Sequence, residues 1–262
     1  MITIITTYAP ASGPKEKVQM IAAYSLSCLK GVQVIVLDEL GMRKGLCERY
    51  GFINLGSLRS GESFGVPTKA FDMGHAFGLV ESVAEGDAVM FLNGDNIVVS
   101  CCVSELFDKV SAQTDGDFVC LGRRMDIPES EYLPLIEEGS EEECFHRLLP
   151  LAAESKRIPY GVDVYVWSKS QFKKLRKLPV LIDGWHYDNW LVNDAYENCP
   201  NVFYLSMAFD TLHCYHGDSA YRQRDIARAS TEHNRKVIVA SYPHLNTSEM
   251  KTPSPIPQEW LK

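Results

Sequence analysis

The sequence predicts an α/β fold, and three stretches carry that prediction. A strand, helix, strand series opens the chain at Ile2–Thr6, Lys15–Leu29 and Val32–Leu37. A short apolar run, Ala88–Leu92, then breaks into Asn93-Gly94-Asp95-Asn96, as a buried strand does where it ends at a crevice. Later, Tyr160–Trp167 alternates apolar and polar residues like a half-buried strand. At 262 residues and 45% hydrophobic content, the chain suffices to bury a full core.

Taken in order, Ile2–Thr6 is β-branched and runs into Thr7-Tyr8-Ala9-Pro10, a strand leading to a loop that Gly13-Pro14 punctuates. Val18, Ile21, Ala22, Leu26 and Leu29 fall close to helical spacing, and Lys30-Gly31 ends that helix. Val32–Leu37 closes on Asp38-Glu39. Arg43–Leu58 is weakly patterned, and Ser57–Pro67 reads as a Ser/Gly-rich loop. Thr68–Val83 has helical spacing, although Gly74 and Gly78 each cost such a helix ~1 kcal/mol unless a neighbour packs closely against them. Val103–Val110 reads as a helix, Asp117–Gly122 as a strand ending at Arg123-Arg124, and Glu129–Glu143 as an acidic peripheral excursion. Lys169–Lys177 alternates cations with Phe172 and Leu175 as a solvated helix face would. Val202–Met207 is strand-like, and the proline-bearing tail 241–262 reads as an extended strap with Trp260 as an anchor.

Composition narrows the function. Lys and Arg number 26 against 34 Asp and Glu, a net charge of −8. That balance gives no general drive toward nucleic acid or anionic membrane and leaves only a local basic patch as a route to either. No apolar run approaches the ~20 residues of a membrane span, and the N-terminus lacks a basic region leading into an apolar one. The eight cysteines show no CxxC spacing, so a zinc ribbon or disulfide framework is not expected. The expectation is a soluble cytoplasmic protein with reduced thiols. The glycine fingerprint of dinucleotide binders is absent after the first strand, which disfavours NAD and FAD.

Chemistry concentrates in four places. Asn93-Gly94-Asp95 is either a plain turn or a site where Asp95 reaches a metal or phosphate past a glycine. Arg123 and Arg124 are either a surface pair or a forked anion clamp. In the run Leu181–Val192, Asp188 sits at a helix start between Trp185 and Trp190. It is either an N-cap or a general base beside a sugar-sized aromatic pocket. His213, His216 and Asp218 could ligate a metal, hold phosphate or simply pack. Lys69, at the start of the helix before the Asn-Gly-Asp strand, is a modest phosphate candidate, and His75 on the same helix is a packed or surface residue.

This order of features resembles the GT-A fold glycosyltransferases, in particular a group similar to glycosyltransferase family 2. The match runs from about Ile2 to Arg222. It rests on Asn93-Gly94-Asp95 standing in the place of an Asp-x-Asp element. Gly161-Val162-Asp163, Gly184-Trp185-x-x-Asp188-Asn189-Trp190 and His213-x-x-His216-x-Asp218 then follow in sequence. The resemblance implies one α/β domain, a mixed central sheet flanked by helices. Residues 1–127 would form a nucleotide-sugar-binding half, 159–240 an acceptor-binding half and 241–262 a tail. It implies an inverting hexosyl- or pentosyltransferase using a nucleotide diphosphate sugar, most simply a UDP sugar. Thr7, Tyr8 and Asp38 would line the nucleobase and ribose, with Lys69, Asn93, Arg123 and Arg124 near the phosphates. Asp95, His213 and His216 would hold Mn²⁺ or Mg²⁺, and Asp188 would be the base. Asp163, Trp185, Asn189 and Trp190 would bind an acceptor that is a glycan, protein, lipid or modified nucleobase. Asn93 in place of a first Asp departs from the pattern and weakens the case for metal. Two alternatives stand beside this reading. One is a nucleotidyltransferase making activated sugars, which calls for a glycine-rich basic loop after the first strand, where this chain has Gly13 and Lys15. The other is a non-catalytic nucleotide- or sugar-binding protein.

Overall fold

The opening strand–helix–strand series is present as β1 (Ile2–Thr7), α1 (Pro14–Ser27) and β2 (Val32–Leu37). The computed structural model describes residues 1–8, 11–38, 44–56, 58–66, 70–155, 157–182, 186–205, 208–215, 225–242, 254–255 and 257. The chain continues through α2 (Lys44–Tyr50), β3 (Ile53–Leu55), α3 (Met73–Val83), β4 (Ala88–Asn93), β5 (Asn96–Val98), α4 (Val103–Gln113) and β6 (Val119–Ile127). Then come α5 (Glu129–Ile136), α6 (Glu141–Glu154), β7 (Arg157–Ser168), α7 (Lys169–Phe172) and a 3-10 turn, Lys173–Lys177. The described chain closes with α8 (Tyr187–Asn198), β8 (Val202–Tyr204), β9 (Thr211–Cys214), α9 (Asp225–Ser241) and β10 (Ser254–Pro255).

The strands form one mixed sheet in the order β10-β8-β6-β7-β4-β1-β2-β3, flanked by helices. β3, β2, β1 and β4 are parallel, whereas β7 runs antiparallel between β4 and β6. β5 and β9 form an antiparallel ribbon off this path, and β9 also pairs with the far end of β6. On one face, α3, the 3-10 turn, α8 and α9 bury a core with Phe77, Phe91, Trp167 and Phe172 at its centre. Phe77 contacts the other three rings at centroid distances of 5.8, 5.9 and 5.1 Å, each worth ~0.5–1.5 kcal/mol beyond burial. The opposite face carries α4, with Leu26 of α1, over Ile4, Met90 and Val166.

Several expectations are corrected. Arg43–Leu58, read as weakly patterned, contains α2 and β3, because Leu46 and Cys47 find a small cluster with Tyr8, Ala23 and Val36. The acidic excursion is two helices. α6 begins with a capping box in which the Ser140 hydroxyl accepts from Glu143 N–H. α3 starts at Met73, with Asp72 accepting from the His75 N–H at 3.0 Å, so Ala70 and Phe71 precede the helix. Gly74 is explained by close packing: a Cβ there would lie 2.8 Å from Leu178 N. Ser241 ends α9 and Tyr242 is buried, so these two residues are not part of a strap. Ser254–Pro255 does extend beside β8 as an edge strand, and Trp260 lies outside the described residues.

Candidate active site

Thr7 is the register partner of both Leu37 and Asn93. Three parallel strands therefore end level, at the edge where open α/β sheets take ligands. Thr7, Asp38 and Asn93 stand in a row along this edge, with Asp95 two residues on. Gly94 is required by the turn. A Cβ on it would press into the Thr7 carbonyl and lie 2.6 Å from Tyr8 Cδ1, so the Asn-Gly-Asp loop lies flat on the end of β1.

The β5–β9 ribbon brings the late histidine to this loop. Asn96 pairs with His213, and opposed residues of an antiparallel pair share a face. His213 Nε2 lies 3.8 Å from Asp95 Oδ2, while its Nδ1 is 2.8 Å from Asp126 Oδ1. Arg124 donates from Nε to the same Asp126 oxygen at 2.8 Å and from Nη1 to Asp163 Oδ2 at 2.5 Å. A continuous string of polar contacts thus runs Asp95, His213, Asp126, Arg124, Asp163. Burial works against ionised Asp126, but the hydrogen bond from His213 and the Arg124 guanidinium outweigh it and hold its pKa below the ordinary value. Burial likewise opposes the Arg124 charge, and Asp163 and Asp126 overcome it.

Asp188 lies in the first turn of α8. Its Oδ1 accepts from Asn189 N–H at 2.8 Å. Burial pushes its pKa up and the charge of nearby Asp163 adds to this, against the opposing Asn189 hydrogen bond and His186. A carboxyl raised in this way holds a proton more tightly than a solvated one, as a general base that must accept a proton requires. The adjoining Tyr187 hydroxyl donates to Asn93 Oδ1 at 3.1 Å, tying the acceptor-side helix to the end of β4. His186 adopts a left-handed backbone, φ 74°, and its Nδ1 lies 3.2 Å from Asn189 Nδ2.

The structure brings together Thr7, Asn93, Asp95, His213, Asp163, Asp188 and Asn189, and redirects other candidates. Arg123 and Arg124 do not form a clamp. β6 continues through bulges to Ile127, so Arg123 covers the Tyr204 ring at 5.3 Å while Arg124 is spent on two carboxylates. Trp190 is a core residue, 8% exposed and packed 5.7 Å from the Tyr242 ring, and not an open sugar platform. Tyr8 turns its ring into the cluster around Val36 and Leu46. Asp38 is buried and accepts from Asn54 Nδ2 at 3.3 Å. Lys69, Trp185 and His216 lie outside the described residues.

The sequence reading missed Asp126, Tyr187 and Asn96. The signal for Asp126 was its place two residues past Arg124, and for Tyr187 its place beside Asp188. Asn96 is fully buried, and neither end of its amide has a hydrogen-bond partner among the described residues. Among those residues no three His, Cys, Asp or Glu side chains converge as a complete metal cage. The donor set nevertheless suits a partly protein-bound divalent cation. It offers one carboxylate, one imidazole whose second nitrogen is fixed by a carboxylate, and an orphaned amide alongside.

No protein-family model matches the sequence, and no curated protein matches it. Solved structures do. One is Staphylococcus aureus TarS 1–349 in complex with UDP-GlcNAc, at 14% identity and a TM-score of 0.49. That likeness covers 87% of this chain and 64% of the other, so the chain spans less than two thirds of that structure. A second is CMP:2-keto-3-deoxy-manno-octonic acid synthetase complexed with CTP, at 14% identity, 78% and 88% coverage and a TM-score of 0.43. A third is a Bacillus anthracis structure assigned as a glucose-1-phosphate thymidylyltransferase, in complex with sucrose. It matches at 13% identity, 95% and 98% coverage and a TM-score of 0.47. What these share with this chain is architecture, an α/β mixed central sheet flanked by helices. No helix among the described residues is long and apolar enough to cross a membrane.

Proposed function

We propose that this chain is an inverting glycosyltransferase that moves a sugar from a nucleotide diphosphate sugar, preferentially a UDP sugar, to an acceptor hydroxyl. The observation that carries the reading is the Tyr187–Asn93 hydrogen bond. It holds Asp188, a half-buried carboxyl with a raised proton affinity, beside the loop that bears Asp95. Donor-side and acceptor-side carboxylates so arranged have distinct tasks.

Thr7 and Asn93 line the crevice where a donor would lie, and the flat Gly94 turn leaves its backbone open to a phosphate. Asp95 and His213 would hold Mn²⁺ or Mg²⁺, with diphosphate oxygens and water completing the shell. Such a cation supplies charge neutralisation for the departing nucleoside diphosphate. Asp126 fixes the His213 tautomer by accepting at Nδ1, which leaves Nε2 turned to Asp95. Asp188 takes the proton from the acceptor hydroxyl as that oxygen attacks the anomeric carbon from the face opposite the leaving group. Asp163 is paired with Arg124, and its nearness favours the protonated product form of Asp188.

Isothermal calorimetry of UDP with Mn²⁺ tests the donor side. Binding should weaken on Asp95→Ala, and equal affinity in the two proteins would remove Asp95 from that role. NMR of the product anomeric centre tests inversion: an α-linked donor should yield a β linkage, and retention would refute the mechanism.

A further inference from the structure

One strongly charged feature is not used by this reading. On a chain of net charge −8, Lys173, Lys174, Arg176 and Lys177 are all exposed on the 3-10 turn, while Leu175 anchors that turn in the core. Two clefts border them. Arg59, His75, Arg176 and Lys177, with Asp72 and Pro179, line one of about 480 Å³ between α3 and the turn. Ser170, Lys173, Lys174, Arg176 and Lys177 line another of about 370 Å³. Arg176 and Lys177 belong to both, so the clefts adjoin, and together they are taken as one groove.

The groove has a direction. β7 ends with Ser168 opposite Ala88, at the amino end of β4, and the chain then climbs through α7 and the 3-10 turn alongside α3. Leu178 reaches Gly74 in the first turn of α3, and Leu181 bridges to Asp72. α3 begins at the carboxyl edge of β4, so the groove rises toward the edge that carries Asn93 and Asp188. The acidic groups nearby offset only part of this charge. The Asp72 carboxylate caps α3, Glu81 stands 3.9 Å from Arg176, and Asp194 is hydrogen-bonded by Tyr242 and Asn198. No Phe, Tyr or Trp is among the described lining residues and His75 is the single ring there, so bases have no row of stacking platforms and recognition would fall on charge spaced along a chain.

We propose that this groove binds a linear phosphate-linked polyanion through its backbone charges. That the polyanion is the acceptor, fed along the groove to Asp188, rests on the transferase reading; the binding itself does not.

Two sources share this chemistry, a nucleic acid strand and a non-nucleotide polyphosphate or polyol phosphate. Fluorescence anisotropy with a 20-nucleotide single-stranded oligo-dT and with long-chain inorganic polyphosphate, without donor or turnover, separates them. If Arg59, Lys173, Lys174 and Lys177 each neutralise one phosphate, Arg176 being paired with Glu81, the salt slope for a single strand is about −2.8, so affinity falls ~50-fold between 50 and 200 mM salt. A Lys173→Gln/Lys177→Gln variant halves the slope, and the same salt step then costs ~7-fold. A Lys15→Gln/Lys30→Gln variant, altered at α1 and its end, should behave as wild type. Binding to both probes is the expected result. Binding to polyphosphate alone upholds the proposal and points to the non-nucleotide source. Binding confined to oligo-dT overturns it, because that demands base contacts. No binding at 50 mM salt, or equal weakening in both variants, also overturns it. An enzyme that binds these probes but transfers no sugar would refute the proposed function and leave the groove standing.

Discussion

Two glycines on one face of α3 should respond in opposite directions to the same substitution. Alanine at Gly78 places its Cβ 3.8 Å from Arg176 Cβ, an ordinary contact, in the middle of the helix. The gain is the full propensity difference of ~1 kcal/mol, which raises Tm by ~2–4 °C in a chain of this size. Alanine at Gly74 sits in the first turn, where propensity counts for less. It meets Leu178 N at 2.8 Å and Arg176 O at 3.2 Å, and the Leu178 carbonyl more closely still. These are backbone atoms that no rotamer change relieves, and overpacking of this kind costs ~1–3 kcal/mol. A net loss of ~2 kcal/mol lowers Tm by ~4–8 °C. Thermal unfolding followed by far-UV circular dichroism reads both shifts. A Gly74→Ala protein as stable as wild type would refute the close approach of α3 to the 3-10 turn, and with it the shape of the basic groove.

Asp188→Asn should cut transfer by ~10²-fold or more while donor binding persists; normal turnover would exclude Asp188 as base. Its stability effect has a definite sign. Burial first, then Asp163, raise the folded pKa above the ordinary 3.8, so Asp188 costs stability increasingly as pH rises from 3.8 to the folded value and fully above it. The Asn variant should therefore be the more stable protein near neutrality, with an advantage that shrinks as pH falls through the folded pKa and is lost below 3.8, and urea titrations giving a pH-independent difference would refute this. Arg124→Met strips Asp163 and Asp126 of their partner and should cost ~3–5 kcal/mol in urea unfolding. Adding Asp163→Asn should recover part of that loss, and strict additivity would deny the pairing. Tyr187→Phe should lose ~1 kcal/mol of stability. It should lower kcat more than it changes donor KM, and a pure KM effect would argue that the hydroxyl touches donor instead of positioning α8.

Most of the sheet was legible in the sequence because its parallel strands are buried on both faces and read as short apolar runs. The Asn-Gly-Asp turn was legible because an abrupt polar break after such a run has few explanations. The side-chain pairings that complete the site were not. Arg124 with Asp163 spans 39 residues and His213 with Asp126 spans 87, and no local pattern records which partner a charge will find. Arg123 and Arg124 looked like a terminal clamp because the apolar run stops at Gly122, whereas β6 continues through two irregular registers that turn the arginines to separate tasks. Trp190 misled for a different reason. An indole beside a carboxylate has the same sequence signature whether it faces a sugar or a core, and Tyr242, from beyond α9, decides the matter.

The central place of β7 has a consequence for how the molecule can be assembled. Without it, β4 and β6 have no common neighbour, and each presents a bare ladder of amide and carbonyl groups. A fragment ending at residue 156 would therefore carry the Asn-Gly-Asp loop on an unsealed sheet prone to pairing with other chains. During synthesis the first half of the chain must wait for Val162–Ser168 before its own strands are joined. Two fragments cut between α6 and β7 and expressed together should find each other by strand insertion, restoring the sheet without a covalent link.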